Sequence, residues 1–550
     1  MELISLIVGR GFMSSKLLKG TFILTLGTII SKVLGLFYVI PFYHIVGSEG
    51  QALYAFSYIP YTIFISLATA GIPLAVSKFI SKYNALEEYA VGRKLFKSGL
   101  VIMMCTGILS FLALYFIAPY IAEMSTNADV EGKVKDVTTV IRAVSFALIV
   151  VPIMSLIRGF FQGHQSMGPS AVSQVIEQIV RITFVLAGAF VVLNFMNGTI
   201  TEAVSVATFA AFIGAIGGLF SLLWYWYKRR PYLNEMLLHD KGTVDISLKE
   251  MYKEILVYAA PFVFVGIANP LFQLVDQFTF IKTMESIGYN NKEAETAFAV
   301  ITMQTHKLVI IPVSLATAFS LTLVPSITKA FVENDRKSLN NQLNQAFQVV
   351  LFLTLPAVVG ISMLAEPLFT LFYEHSELGT EVLRTYAPVA VLFAYFLVTA
   401  AILQGINEQR FTVLSLLVGL LLKLSLNIPL IKWLETEGAI VATAIGYMAA
   451  IIINLVVINR FAKYPFKLVM RRSILIILFT LLMFIGTGIV YKLLTMFLST
   501  KTDFSSLLIV IICAAVGVGI YFYLSLKTRL IYFLMGEKVE RVLKKLKFRV

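Results

Sequence analysis

The sequence predicts an all-α polytopic membrane protein with about fourteen transmembrane helices. Three observations predict it. First, 58% of the 550 residues are hydrophobic and only 14% are charged, whereas a soluble chain carries about 25% charge. Second, apolar stretches follow one another from end to end, each long enough to cross about 30 Å of hydrocarbon. Third, lysine and arginine concentrate in every second connection between those stretches. Backbone polar groups in lipid must be satisfied within their own segment, so the stretches are expected to be helices. The apolar runs are continuous rather than alternating, which excludes a transmembrane β-barrel.

Taken in order, the apolar runs place spans at roughly 17–46, 51–81, 98–122, 137–162, 169–193, 203–227, 255–281, 297–328, 339–365, 382–406, 411–431, 438–459, 473–497 and 504–526. Several exceed the minimum length and contain proline, among them Pro41, Pro60, Pro73, Pro312 and Pro325. Those helices are expected to bend or tilt.

The net charge is +14, but its placement points to a membrane rather than to nucleic acid. With the N-terminus taken as cytoplasmic, roughly 30 of the 45 basic residues fall in inside segments and about seven in outside loops. One outside loop instead carries Glu366, Glu374, Glu377 and Glu381. The alternation holds along the chain and predicts an even number of spans with both termini in the cytoplasm. The N-terminus lacks a cleavable signal with a small-residue exit site. Met13-Ser14-Ser15-Lys16 reads as a second start, which would make residues 1–12 dispensable. The tail from Lys538 to Lys547 is a basic amphipathic stretch, expected to anchor on anionic inner-leaflet lipids. The two cysteines, Cys105 and Cys513, lie inside apolar stretches and read as small buried residues, not as a disulfide or metal site.

The chain repeats itself. Ser66-Leu67-Ala68-Thr69-Ala70 recurs as Ser314-Leu315-Ala316-Thr317-Ala318, in the second and eighth spans. Val140-Ile141-Arg142 matches Val382-Leu383-Arg384, Gln162-Gly163 matches Gln404-Gly405, and Arg181 matches Lys423. All three pairs share one offset of 242 residues (384 − 142, 404 − 162, 423 − 181). Six spans per repeat keep the same orientation, so the halves are expected to be parallel lobes related by a pseudo-two-fold axis along the membrane normal. The expected segments are an N-terminus at 1–16, an N-lobe at 17–228, a linker at 229–254, a C-lobe at 255–460, a terminal helix pair at 461–526 and the basic tail at 527–550. Such lobes would enclose a cavity with alternating access.

Charges within or near the ends of the spans are few: eight basic residues (Lys32, Lys78, Arg142, Arg158, Arg181, Lys307, Arg384, Lys423) against three acids (Glu177, Glu254, Asp276). Each costs roughly 2.5–3.5 kcal/mol on insertion scales, so each is expected to face a wet cavity or a partner. Lys78, Arg158 and Glu254 lie near cytoplasmic helix ends and are expected to snorkel. Glu177 and Arg181, spaced i, i+4, read as an ion pair on one helix. Lys32, Lys307, Lys423 and Asp276 lie deeper without an obvious local partner, and His306 stands beside Lys307. A drug-cation or metal-cation exporter needs carboxylates in its cavity. A cationic cavity suits an anion, of which phosphate or pyrophosphate is the common membrane-borne kind, and lysine binds it as a point charge. No nucleotide-binding Gly-x-x-x-x-Gly-Lys-[Ser/Thr] loop, zinc-protease motif, nucleophile elbow or acidic magnesium cluster occurs, which points away from ATP hydrolysis and from an enzyme.

Ser31-Lys32-Val33-Leu34-Gly35, followed by Pro41-Phe42-Tyr43-His44-Ile45-Val46-Gly47, resembles the first span of the MurJ-type lipid II flippases. The second span, Tyr61 to Pro73, and the eighth, Lys307 to Phe331, carry the same resemblance. It is strongest to the Gram-positive YtgP and SpoVB-like polysaccharide biosynthesis proteins of the multidrug and polysaccharide exporter superfamily, and it extends over the whole chain. The resemblance implies translocation of an undecaprenyl-pyrophosphate-linked peptidoglycan precursor from the inner to the outer leaflet of a bacterial plasma membrane. It implies that Lys32 and Lys307 line a cationic cavity, and that the helix pair near 473–526 forms a groove for the lipid tail. The sequence departs from the family where Tyr38 replaces a second arginine, where Phe64-Ile65 stand in the second-span arginine region, and where Gln51 replaces an acidic residue.

The expected substrate-binding residues are therefore Lys32, Lys307, Arg181 and Lys423, with Asp276, Glu177 and His306 as coupling or cavity residues and no metal site. No cofactor is expected; membrane potential or Na⁺ or H⁺ coupling would supply the energy. The expected partners are the lipid-linked glycan, inner-leaflet lipids and cell-wall synthesis machinery. Three other roles stay open at this level: a flippase for another lipid-linked polysaccharide unit, a multidrug–cation antiporter, and a non-transporting division scaffold.

Overall fold

The computed structural model describes residues 24–531, apart from 25, 29, 32, 36, 70, 127–131 and 244–246. The expectations for Lys32, for the segment 1–16 and for the basic tail beyond 531 therefore lie outside the described residues. Every regular element among the described residues is a helix. Among the described residues eleven helices are long and apolar enough to cross a membrane, and Leu248–Ser286 is a further helix of 39 residues.

Two of the eleven contain a break. Leu26–Thr69 is interrupted at Gly47 (φ 67°, ψ −173°), a conformation open to glycine because it lacks a Cβ. Gln409–Ala462 is interrupted at Glu435 (φ 53°, ψ −130°). Each break falls in a gap between two expected spans. Other expected spans are themselves divided. The second ends at Thr69 and resumes at Ile72, because Gly71 takes the left-handed conformation (φ 67°) and caps the next helix. The fourth and tenth are each split into a shorter helix followed by a longer one.

By contacts the chain divides into two compact units, Met1–Lys282 and Thr283–Val550. The division falls within Leu248–Ser286, later than the expected linker at 229–254.

The first unit contains α1 (Val39–Thr69), α2 (Ile72–Ala85), α3 (Tyr89–Ser125), α4 (Lys133–Ser145), α5 (Ala147–Gly163), α6 (Met167–Asn194), α7 (Ile200–Leu238) and most of α8 (Leu248–Ser286). Thr199 and Glu202 form a reciprocal capping box that starts α7. An aromatic core joins α3, α5 and α7, with Phe96 4.3 Å from Phe160 and 4.9 Å from Trp226 between ring centroids. Residues 240–243 run as a strap beside 87–90. Asp240 Oδ1 accepts from Ala90 N (2.7 Å), Lys241 N donates to Glu87 O (3.0 Å), and Thr243 N donates to Glu88 Oε1 (2.8 Å). Lys241 Nζ also lies 2.8 Å from Glu87 Oε2.

The second unit contains α9 (Asn291–Ala299), a π-turn (Val300–Thr305), α10 (His306–Val332), α11 (Arg336–Met363), α12 (Ala365–Phe372), α13 (Glu377–Tyr386), α14 (Val389–Gly405), α15 (Gln409–Ala462), α16 (Lys467–Thr495) and α17 (Asp503–Lys527). Its core includes Ile327, Phe347, Ile402, Leu403 and Tyr464. Along α16, the apolar Ile474, Ile477, Leu481 and Ile485 are exposed, the surface a helix presents to hydrocarbon.

The repeat is visible in the helix boundaries. α5 begins at Ala147 and ends at Gly163, and α6 begins at Met167; α14 begins at Val389 and ends at Gly405, and α15 begins at Gln409. All three boundaries are displaced by 242 residues (389 − 147, 405 − 163, 409 − 167). The packing repeats too. A Cβ at Gly163 would sit 2.8 Å from Ile80 Cβ, and one at Gly405 would sit 2.8 Å from Ile327 Cβ. In each unit the closing glycine lets a helix end lie against an isoleucine of an earlier helix.

Candidate functional site

The first unit holds a cluster of three charges, with Glu177 buried and two arginines partly buried beside it. Ser173, Glu177 and Arg181 are spaced four apart on α6, which puts them on one face. Arg181 Nη2 lies 2.5 Å from Glu177 Oε1, the expected pair. Arg158 on α5 completes the cluster. Its Nη2 donates to Glu177 Oε2 (2.9 Å) and to Ser173 Oγ (2.9 Å), and Ser173 Oγ donates to Gly218 O (3.0 Å). The expectation that Arg158 snorkels is thereby corrected: both arginine side chains are 16% exposed and Glu177 is 12% exposed. Two guanidiniums share one carboxylate, leaving one net positive charge within the helix packing.

Small residues make this burial feasible. A Cβ at Gly214 would sit 2.9 Å from Glu177 O, and one at Gly218 would sit 3.1 Å from Glu177 Cβ. Glycines on α7 therefore let α6 approach closely, as small residues do between membrane helices. On another side, Tyr54, Tyr58 and Tyr61 of α1 lie within electrostatic reach of Arg181. Tyr54 and Tyr58 stack at 5.3 Å, and Tyr38 lies 3.4 Å from Tyr54 between hydroxyls. Thr28 Oγ1 donates to Gln174 Oε1 (3.1 Å), placing the first span against the polar face of α6.

Asp276 is buried on α8. The neighbouring Gln277 amide donates to Phe56 O (3.0 Å) and Ser125 Oγ (2.9 Å).

In the second unit, Lys423 is fully buried in the first half of α15. Its ammonium donates to Ala439 O and Thr443 Oγ1, both at 2.8 Å, in the second half of the same element. The partners expected to be lacking lie beyond the break at Glu435. His306 and Lys307 open α10, directly after the π-turn. His306 Nδ1 lies 2.9 Å from Tyr386 Oη, a hydrogen-bond distance. His306 is buried and Lys307 is partly exposed. Among the described residues, no group of three or more His, Cys, Asp or Glu side chains gathers to hold a metal.

The structure thus joins Glu177 with Arg181 and adds Arg158, which sequence reasoning had assigned elsewhere. The tyrosines within electrostatic reach of Arg181 were also missed, although their i, i+4, i+7 spacing on α1 is a readable signal.

The comparisons agree with this architecture. A family model described as "Polysaccharide biosynthesis protein" matches residues 17–331, and one described as "MatE" matches 261–429. The Bacillus subtilis (strain 168) protein "Lipid II flippase MurJ" is 48% identical over 534 residues, covering 96% of this chain and 98% of that relative. "Stage V sporulation protein B" of the same organism is 24% identical, covering 82% and 85%. The solved structure "Lipid II flippase MurJ, inward closed conformation" aligns with a TM-score of 0.65 at 16% identity, covering 93% of this chain and 99% of that one. An inward-facing multidrug resistance MATE family transporter aligns at 0.63 and 16% identity, covering 78% and 94%. The two structural likenesses speak for the fold. The match of the family model to more than half of the chain and the near full-length identity to the Bacillus relative speak for the lineage: the chain belongs to the polysaccharide biosynthesis protein family, in its MurJ-type branch.

Proposed function

We propose that this protein is a transporter that carries lipid II, the undecaprenyl-pyrophosphate-linked peptidoglycan precursor, from the inner to the outer leaflet of the bacterial plasma membrane. The observation that carries this reading is the 48% identity to a lipid II flippase along nearly the whole of both chains. The two broken helices, at Gly47 and Glu435, support a count of fourteen spans, an even number that puts both termini on one side, and the placement of lysine and arginine makes that side the cytoplasm. We keep the lobes at 17–228 and 255–460, the linker at 229–254 and the tail-binding pair at 461–526.

In this reading Lys32 and Lys307, one from each lobe, neutralise the pyrophosphate during alternating access. Arg181 adds the uncompensated positive charge of its cluster, where Glu177 holds two arginines in place. Lys423 is assigned a different task from the one its sequence position implied. Its ammonium is committed to Ala439 and Thr443, so it ties the two halves of α15 together. Membrane potential supplies drive, at about 2.3 kcal/mol per charge per 100 mV. Asp276 remains the candidate for ion coupling.

The antiporter reading has one observation in its favour, the MatE match at 261–429. Against it stands Glu177, whose two oxygens are both occupied by arginines and so do not await an exported cation. The test is depletion of the protein, with any redundant flippase removed, and assay of lipid II accessible at the outer leaflet. Accessible lipid II should collapse, then return with the wild-type chain but not with a Lys32→Ala, Lys307→Ala double variant. Unchanged accessibility on depletion would reject lipid II as the main substrate.

A further inference from the structure

The helix that carries Lys307 is not regular. Val300–Thr305 form a π-turn, with α9 before it and His306 immediately after. Such turns insert one residue into an α-helix and are frequent at functional sites. One residue turns an α-helix by about 100°, so everything after the insertion is rotated by that amount relative to an uninterrupted helix. The consequence for Lys307 is definite. Were the π-turn to relax to α-helix with α9 held fixed, Lys307 would move to the direction now taken by Leu308, which is 3% exposed and packed in the unit's core. His306 would move to the direction Lys307 now takes.

Upstream, α9 is held at its start by the Asn290–Glu293 capping box, and Ala294, Ala297 and Phe298 are buried. The π-turn itself is pinned from both sides. Thr305 Oγ1 donates to Val300 O five residues back (2.8 Å). Tyr373 Oη donates to Gln304 O (3.2 Å), and His306 Nδ1 bonds Tyr386 Oη (2.9 Å). His306 and Tyr386 also pack against Phe393, at centroid distances of 6.2 Å each. The Thr305 bond is internal to the turn, whereas the Tyr373, Tyr386 and Phe393 contacts come from α13, α14 and the turn before α13.

We propose that His306 is a positioning residue: through Tyr386 it locks the π-turn in the register that turns Lys307 out of the core and presents it to the anionic substrate. The second half of that statement rests on the reading of Lys307 given above; the first half does not.

The test separates the two. Lys307→Cys is introduced into the full chain with Cys105→Ser, and its rate of reaction with a charged maleimide is followed in membranes. Cys513, buried in the same unit, is retained as the folding control. Labelling at 307 should fall about tenfold in His306→Leu and in the volume-conserving Tyr386→Phe, the scale of one lost buried hydrogen bond. It should be rescued in His306→Asn, which keeps a polar atom near the Nδ1 position. Equal labelling in all backgrounds would overturn the proposal. Should His306→Leu expose Cys513, Tyr386→Phe decides alone, and unchanged labelling there overturns the proposal. With Lys307 in place, a Tyr386→Phe chain that transports normally despite lost labelling would leave the positioning standing and sink the substrate role of Lys307 instead.

Discussion

Arg158 Nη2 lies 2.9 Å from Glu177 Oε2, across 19 residues of sequence and on a neighbouring helix. With Arg181 on the other oxygen, the carboxylate is the only acid of a three-charge cluster. Glu177→Gln would leave two guanidiniums together without a counter-charge, and should cost about 3–5 kcal/mol. Arg158→Gln leaves the Glu177–Arg181 pair intact and should cost about 1–3 kcal/mol. Thermal unfolding of the detergent-solubilised variants checks the order. Equal losses would mean that Glu177 is not the keystone.

Lys423→Met should destabilise the second unit by about 1–3 kcal/mol, because Ala439 O and Thr443 Oγ1 each lose a donor where water is excluded. If Lys423 only ties α15 together, transport by the surviving folded protein should stay near wild type. A transport defect without a stability defect would return Lys423 to the substrate path.

Alanine at either closing glycine should overpack its unit, at about 1–3 kcal/mol. Gly163→Ala should be the worse of the two. Its Cβ would also meet Ser77 O at 2.9 Å, a backbone atom that cannot swing aside, whereas the nearest carbonyl to a Cβ at Gly405 is Val324 O at 3.5 Å. Melting temperatures of the two variants give the comparison, and the reverse order would contradict the packing.

The strap at 240–243 should loosen in acid. The Lys241 ammonium, by its hydrogen bond and then its charge, holds the Glu87 carboxyl below its usual range, and Glu87 in turn raises Lys241. A depressed carboxyl contributes its share above the unfolded value and loses it as pH falls through the folded value. Exchange protection of the Lys241 amide, which donates to Glu87 O, should therefore decline below about pH 4.3, the ordinary glutamate value. Glu87→Gln should remove that dependence. An unchanged acid profile in Glu87→Gln would show that another group controls the strap.

Periodic and local features of the sequence determined the helical membrane class, the approximate spans, the Glu177–Arg181 pair and the 242-residue repeat. Hydropathy runs and i, i+4 spacing act within one segment, so they can be read without knowing what packs against it. The repeat was legible because Gly163 and Gly405 must be glycine for the same packing reason in both halves. Lys32, the first-lobe cation of the expected cavity, lies outside the described residues.

Only tertiary structure decided the rest. Arg158 reads from sequence as a snorkelling residue near a helix end, yet helix packing hands it to Glu177. Lys423 reads as unpartnered, yet its acceptors lie 16 and 20 residues on, beyond the break at Glu435. His306 finds Tyr386 80 residues away, and the π-turn before it has no hydropathy signature. The physical reason is common to all three. A buried polar group takes whichever partner packing brings within hydrogen-bond reach, because leaving it unpaired in a water-poor interior costs more than any local preference.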